Sequence, residues 1–219
     1  MKRATFSIVC ISLILAAFCQ SGCIRQNTKL LSAIKDGNVE DVQTLLAKGA
    51  NPNAADNNGV PGLMWAAYKG HTDVAKLLIE KGANVNVKRN IDGTTALWVA
   101  SWLGHTEVVK LLLEKGANVN VRTTDGVTAL WMASQNGHTE VVKLLLEKGA
   151  DVNMKRNTDG ATALMMASKE GNVEVVKLLL EKGANVNAKT KNGKTALGIA
   201  RVMGHPEVVQ LLEKAGATE

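Results

Sequence analysis

Gly-Ala pairs recur along the 219-residue chain at Gly49, Gly82, Gly116, Gly149, Gly183 and Gly216, in steps of 33, 34, 33, 34 and 33 residues. A fixed period of this length means a stack of similar units, each burying its apolar face against its neighbours. The stretch 95–120, TALWVASWLGHTEVVKLLLEKGANVN, shows how one unit divides. Ala96, Leu97, Val99 and Ala100 make a short apolar helix that Gly104 stops. Thr106 is placed to cap the next helix, its hydroxyl oxygen accepting a backbone N–H. In that second helix Val108, Val109, Leu111, Leu112 and Leu113 fill a wide apolar face, with Glu107 and Lys110 at i,i+3 on the other. Gly116 supplies the left-handed residue that ends it. Asn118, Asn120, Asp125 and Gly126 then form a turn-rich finger leading to the next helix pair. A helix of about nine residues does not persist alone in water, so the fold class is an all-α repeat solenoid of helix-turn-helix units with β-turn fingers.

A period near 34 also fits tetratricopeptide repeats, but those join their helices by short turns. The finger that recurs here after Gly82, Gly116, Gly149 and Gly183 excludes them. The repeated Thr-x-Leu, Gly-His, Val-Val, Leu-Leu and Gly-Ala positions resemble the ankyrin repeat family from about Thr28 to Glu219. One departure is consistent: the family's Thr-Pro-Leu-His reads Thr95-Ala96-Leu97-Trp98, Thr128-Ala129-Leu130-Trp131, Thr162-Ala163-Leu164-Met165 and Thr195-Ala196-Leu197-Gly198. Pro61-Gly62-Leu63-Met64 departs further. The resemblance implies an ankyrin array of about six units, over 28–55, 56–90, 91–123, 124–157, 158–189 and 190–219, the first without its own finger. The alternating steps come from one extra residue in the fingers Lys88-Arg89-Asn90-Ile91-Asp92 and Lys155-Arg156-Asn157-Thr158-Asp159, as if a two-unit block had been copied.

The first 22 residues are a different text. Lys2 and Arg3 precede an apolar run from Phe6 to Phe18, and small residues follow, the order of a signal peptide over 1–22. All three cysteines, Cys10, Cys19 and Cys23, lie in or beside it, which leaves the body without a disulfide framework or a thiol nucleophile. Gln20-Ser21-Gly22-Cys23 resembles a bacterial lipobox with Gln20 in place of the usual aliphatic residue. The resemblance implies lipidation at Cys23, a short tether over 23–27 and a place on the periplasmic side of a bacterial membrane. Cleavage elsewhere gives a soluble periplasmic or secreted protein instead.

No catalytic constellation emerges. His71, His105, His138 and His205 share one repeat position after a glycine, and equivalent residues on stacked helices stand about 8 to 10 Å apart. Zinc ligands converge to about 2 Å from one ion, so these histidines are structural and no metal site is expected. The recurring Glu114-Lys115, Glu147-Lys148 and Glu181-Lys182 pairs are solvated helix ends rather than a unique desolvated acid pair. Phosphate loops, nucleophile elbows and Cys/His metal spacing are missing from the sequence, which implies no enzyme and no cofactor.

A binding face remains. The resemblance places it on the fingers and on the exposed residues of each first helix just before the glycine. Those pairs are Tyr68-Lys69, Trp102-Leu103, Gln135-Asn136, Lys169-Glu170 and Val202-Met203. Both phenylalanines lie in the leader, so Trp65, Tyr68, Trp98, Trp102 and Trp131 are the body's aromatics. Trp65, Trp98 and Trp131 read as fillers between helices, whereas Tyr68 and Trp102 read as interface anchors. The fingers contribute Lys88, Arg89, Arg122, Lys155 and Arg156, with Lys189, Lys191 and Lys194 in the last, which suits an acidic partner surface. Without Lys2 and Arg3 the excess of positive charge falls only from six to four. Spread one or two per finger, these residues make no groove-reading element, and nucleic acid is not expected as a partner. The expected function is a non-catalytic, monomeric protein-binding module, a scaffold or an inhibitor. The alternative is an envelope protein whose basic fingers touch anionic lipid or cell-wall polymer.

Overall fold

The computed structural model describes residues 25–218, and the chain divides into two compact units, Met1–Asn84 and Val85–Glu219. The leader over 1–22 and Cys23 lie outside the described residues.

The first unit holds α1 (25–36), α2 (Val39–Ala47), α3 (Gly62–Lys69) and α4 (Thr72–Glu80). Residues 25–27, part of the stretch read as a tether, already belong to α1. Asn27 is tied down there because its side-chain oxygen accepts the Asn51 N–H at 2.9 Å. The core of this unit is Leu30, Ile34, Val42, Leu63, Met64, Val74 and Leu78, all sealed from solvent.

The second unit holds four helix pairs: α5 (Ala96–Leu103) with α6 (Thr106–Glu114), α7 (Ala129–Gln135) with α8 (Thr139–Glu147), α9 (Ala163–Glu170) with α10 (Val173–Glu181), and α11 (Ala196–Met203) with α12 (Pro206–Lys214). The first helices pack in succession, α5 on α7, α7 on α9 and α9 on α11, and the second helices do the same from α6 to α12. Small residues make this close packing possible: Ala96, Ala100, Ala133, Ala167 and Ala200 are fully or almost fully buried between elements. In each second helix one stripe points inward, as with Val108, Val109, Leu112 and Leu113 of α6, while Leu111 is only half-buried.

The capping differs from the expectation for Thr106. That residue is the first of α6, behind His105 at the cap position, and its hydroxyl donates to the Gly104 carbonyl at 3.4 Å. The threonines that do cap open the first helices. Thr95, Thr128, Thr162 and Thr195 accept the N–H of Trp98, Trp131, Met165 and Gly198 at 3.1 to 3.4 Å. The reason is backbone geometry. Thr95 is extended at φ −123° and ψ 166°, which turns its side chain over the helix start, whereas Thr106 is already helical.

Glycines close the elements as expected. Gly104 and Gly116 adopt left-handed φ values of 75° and 83° after α5 and α6.

Successive repeats are fastened by an asparagine ladder. Asn86 accepts the Asn118 N–H at 2.8 Å and donates to the Gly116 carbonyl at 3.1 Å. Asn120 does the same with Asp151 and Gly149, Asn153 with Asn185 and Gly183, and Asn187 with Thr218 and Gly216. In the first unit Asn53 joins Asn84 and Gly82 in the same way. The Gly-Ala-Asn-Val-Asn segment is therefore both a turn and the clamp between one repeat and the next.

Candidate protein-binding surface

The fingers are hairpin turns of two lengths. The short kind closes across five residues: the Thr123 N–H donates to the Val127 carbonyl and the Thr123 hydroxyl accepts the Val127 N–H, both at 3.0 Å. The finger at 190–194 repeats this with Thr190 and Lys194. The long kind holds the extra residue foreseen from the alternating period. Here Arg89 and Thr94, or Arg156 and Ala161, close the turn, and Asp92 or Asp159 accepts the N–H of Thr94 or Ala161 at 3.0 Å. Adjacent fingertips bond directly, since the N–H groups of Thr124, Asn157 and Lys191 reach the carbonyls of Asp92, Asp125 and Asp159 at 2.8 to 2.9 Å.

This construction uses several side chains that the sequence assigned to a partner. Arg89 forms a two-pronged ion pair with Asp92, and its Nε lies 3.0 Å from the carboxylate. Arg156 grips Asp159 at 2.9 and 2.5 Å and lies over the Trp131 ring at 4.9 Å. The hydrogen bond and charge of Arg156 hold the Asp159 carboxyl at a pKa of about 2. For Asp92, burial pushes the other way but is outweighed by Arg89 and Thr94, leaving its pKa below the usual carboxylate range. Arg89 and Arg156 thus brace their own fingers and are neutralised there. The sequence carried a signal for this, because each stands three residues before an aspartate that faces back across the turn.

Arg122 spans to the next finger, donating to the Lys155 carbonyl at 2.9 Å and to Asn157 Oδ1 at 2.5 Å. Lys155 donates to the Lys189 carbonyl at 3.4 Å. Their acceptors are uncharged, so both cations keep their charge. Lys88 is exposed at the first finger of this unit.

The first-helix positions also separate. Tyr68 is 43% exposed and Trp102 38% exposed, as large rings at the C-terminal ends of α3 and α5. Each stands against another ring of its own helix: Tyr68 meets Trp65 edge-on at 5.9 Å, and Trp102 meets Trp98 at 5.9 Å and 43°. Lys69 is exposed with its ammonium 5.7 Å from the Tyr68 ring, while Leu103 and Gln135 are half-buried. Asn136 does not wait for a partner, because its amide donates to the Trp102 carbonyl at 2.7 Å and satisfies the end of α5.

The three filler tryptophans stay inside. Trp131 is buried, Trp98 is half-buried with its indole N–H enclosed, and the Trp65 indole donates to Asp56 at 2.9 Å beneath the Lys35 ammonium. Burial raises the Asp56 carboxyl pKa, but hydrogen bonds from Val60, Trp65 and Asn58 and the Lys35 charge outweigh it and leave it lowered.

His71, His138 and His205 make structural bonds. Their imidazole Nε2 atoms lie 3.3, 3.0 and 2.9 Å from the carbonyls of Lys35, Trp102 and Lys169. Each must therefore carry its proton on Nε2. At the equivalent place in α10, Asn172 donates to the carbonyls of Ser134 and Gln135 at 2.9 Å. Among the described residues no group of acidic, histidine and cysteine side chains is arranged to hold a metal ion, and no helix is long and apolar enough to cross a membrane.

Comparison with known proteins agrees with this architecture. The family model for ankyrin repeats (three copies) matches residues 30–123, 63–156 and 130–218. An ankyrin repeat-containing protein of the fission yeast Schizosaccharomyces pombe is 42% identical over 67 residues, which are 31% of this chain and 32% of that protein. A probable E3 ubiquitin-protein ligase of rice, XBOS33, is 42% identical over 80 residues, 35% of this chain and 15% of the ligase. An Arabidopsis E3 ligase, XBAT33, is 40% identical over a stretch of the same length. The matched region thus spans a third or less of these relatives, and the ligase names describe whole proteins of which it is a small part. With three overlapping matches running through every described helix pair, the chain belongs to the ankyrin repeat family.

Proposed function

We propose that this chain is a non-catalytic binding module that grips a partner protein through the exposed first-helix positions of its early repeats. Ankyrin repeats generally serve as scaffolds for protein–protein interaction, and the repeat domain is itself non-catalytic. The observation that carries the proposal is the exposure of Tyr68 and Trp102. Both are rigid, amphipathic and pre-positioned by a second ring, the properties of interface anchors. Lys69 adjoins Tyr68 in the first unit and Leu103 follows Trp102 in the second, where Lys88, Arg122 and Lys155 add positive charge on the fingers for an acidic partner surface. Replacing Tyr68 and Trp102 together by alanine abolishes capture of the partner from the native cell envelope while leaving the helical melting curve nearly unchanged. Undiminished capture by that variant contradicts the proposal.

The same proposal has the protein exported and held by a lipid at Cys23, on the periplasmic side of a bacterial membrane. The basic start, the apolar run and the Ser-Gly-Cys ending of the leader support it. Incorporation of labelled palmitate into the wild-type chain, lost on Cys23→Ser, is the expected result. Equal labelling of both, or of neither, removes the anchor from the account.

A further inference from the structure

The last finger of the second unit contributes walls to two openings of different chemistry. On one side Lys189, Thr190 and Lys191 join Arg122, Lys155 and Arg156 around a groove of about 670 Å³, with Asp151 as its acidic member. On the other, Lys194 and Thr195 join Gly198, Ile199, Val202 and Met203 around a pocket of about 340 Å³.

The groove keeps most of its charge. Arg156 is neutralised by Asp159, but Arg122, Lys155 and Lys191 donate only to uncharged acceptors, Lys191 reaching the Asn157 carbonyl at 2.5 Å. Lys189 and Lys194 are exposed. A groove whose cations outnumber its single carboxylate, Asp151, favours an anionic ligand.

The pocket exists because of one substitution in the repeat. Position 198 corresponds to Met64, Trp98, Trp131 and Met165 of the earlier repeats, where a bulky side chain fills the space. Glycine leaves it open: a Cβ at Gly198 would meet only the Thr195 hydroxyl, at 3.5 Å. The rim carries Val202, 81% exposed, and Met203, 47% exposed, at the register where the preceding repeat has the ion-paired Lys169 and Glu170. An exposed apolar pair beside an apolar cavity is a surface that gains by being covered.

We propose that this finger forms a two-part site for an acidic segment of a partner protein, whose carboxylates lie in the cationic groove while one bulky apolar side chain fills the Gly198 pocket. The apolar half argues for a peptide, since nucleic acids and polysaccharides present no isolated apolar side chain. This proposal rests on the reading of the chain as a protein-binding module, and places a second contact in the last repeat of the second unit.

The test uses the full chain and a fluorescein-labelled, glutamate-rich peptide with one central phenylalanine, followed by anisotropy. The wild type binds this peptide, and the same peptide with alanine for phenylalanine binds roughly tenfold more weakly, the loss of one buried apolar side chain. Gly198→Met restores the side chain type found at this position in α9. It weakens binding of the phenylalanine peptide by a similar factor while melting at or above the wild-type temperature, because glycine inside a helix is unfavourable. Lys189→Glu with Lys191→Glu weakens both peptides. No binding by the wild type, indifference to Gly198→Met, or binding that depends on salt but not on the phenylalanine each overturns the site. Binding that survives Tyr68→Ala with Trp102→Ala supports it whatever becomes of partner capture. Binding lost in that double variant but kept in Gly198→Met overturns it and leaves the aromatic positions as the contact.

Discussion

Gly104 meets two demands at once: its φ of 75° is left-handed, and a Cβ would lie 2.6 Å from the His138 ring. The same joint recurs where His71 packs on Gly37 and His205 on Gly171, each histidine donating to the adjacent carbonyl of the repeat before. Gly104→Ala is expected to destabilise the fold by about 2 kcal/mol from the left-handed backbone alone, with displacement of His138 adding to it. His138→Asn should keep most of the stability, since Asn172 already performs this task in α10, and His138→Ala should not; urea denaturation separates the three. The Arg156–Asp159 pair makes a prediction in pH. The folded carboxyl titrates at about 2 against an ordinary aspartate value of 3.8, so its stabilisation is present above about pH 4 and fades as pH falls toward 2. The Asp159 side chain is 41% exposed and its pair solvent-screened, so the effect is small. Arg156→Ala should flatten the acid limb of the stability curve between those values, and an unchanged limb would show that the pair contributes nothing.

At the scale of elements, the helix pairs and their turns were legible because apolar spacing and left-handed glycines act within a few residues. What was not legible acts between repeats. Asn120 reads as a turn residue, yet its amide joins two repeats through Gly149 and Asp151. Asn120→Ala is expected to lose about 1 to 2 kcal/mol, two net hydrogen bonds less their solvent exposure. Asn120→Asp, which keeps the acceptor, should lose less; equal losses would mean that the amide donor carries no weight. The same limit applies to the candidate site. Exposure of Tyr68 and Trp102 followed from their register before a helix-ending glycine, whereas the pairing of Arg89 and Arg156 with their own aspartates depends on how a six-residue finger folds back. Thr106 was misplaced as a cap for a related reason, since its role depends on which residue is the last non-helical one.

Over the whole molecule, each unit presents an exposed ring of its own, Tyr68 in the first and Trp102 in the second, and the second adds uncompensated cations on its later fingers. The outer residues of the last repeat differ in kind from those of the repeats before it: Arg201 pairs with Glu213 at 2.8 Å where Ser101, Ser134 and Ser168 are buried. The central claim is that the partner sits on the first-helix positions, and site-specific photo-cross-linking in the native cells tests it most directly. A photoreactive residue at position 68 or 102 should give one defined adduct with another protein, while the same residue at the exposed position 110 of α6 should give none. Adducts from position 110 and none from 68 or 102 would contradict the account.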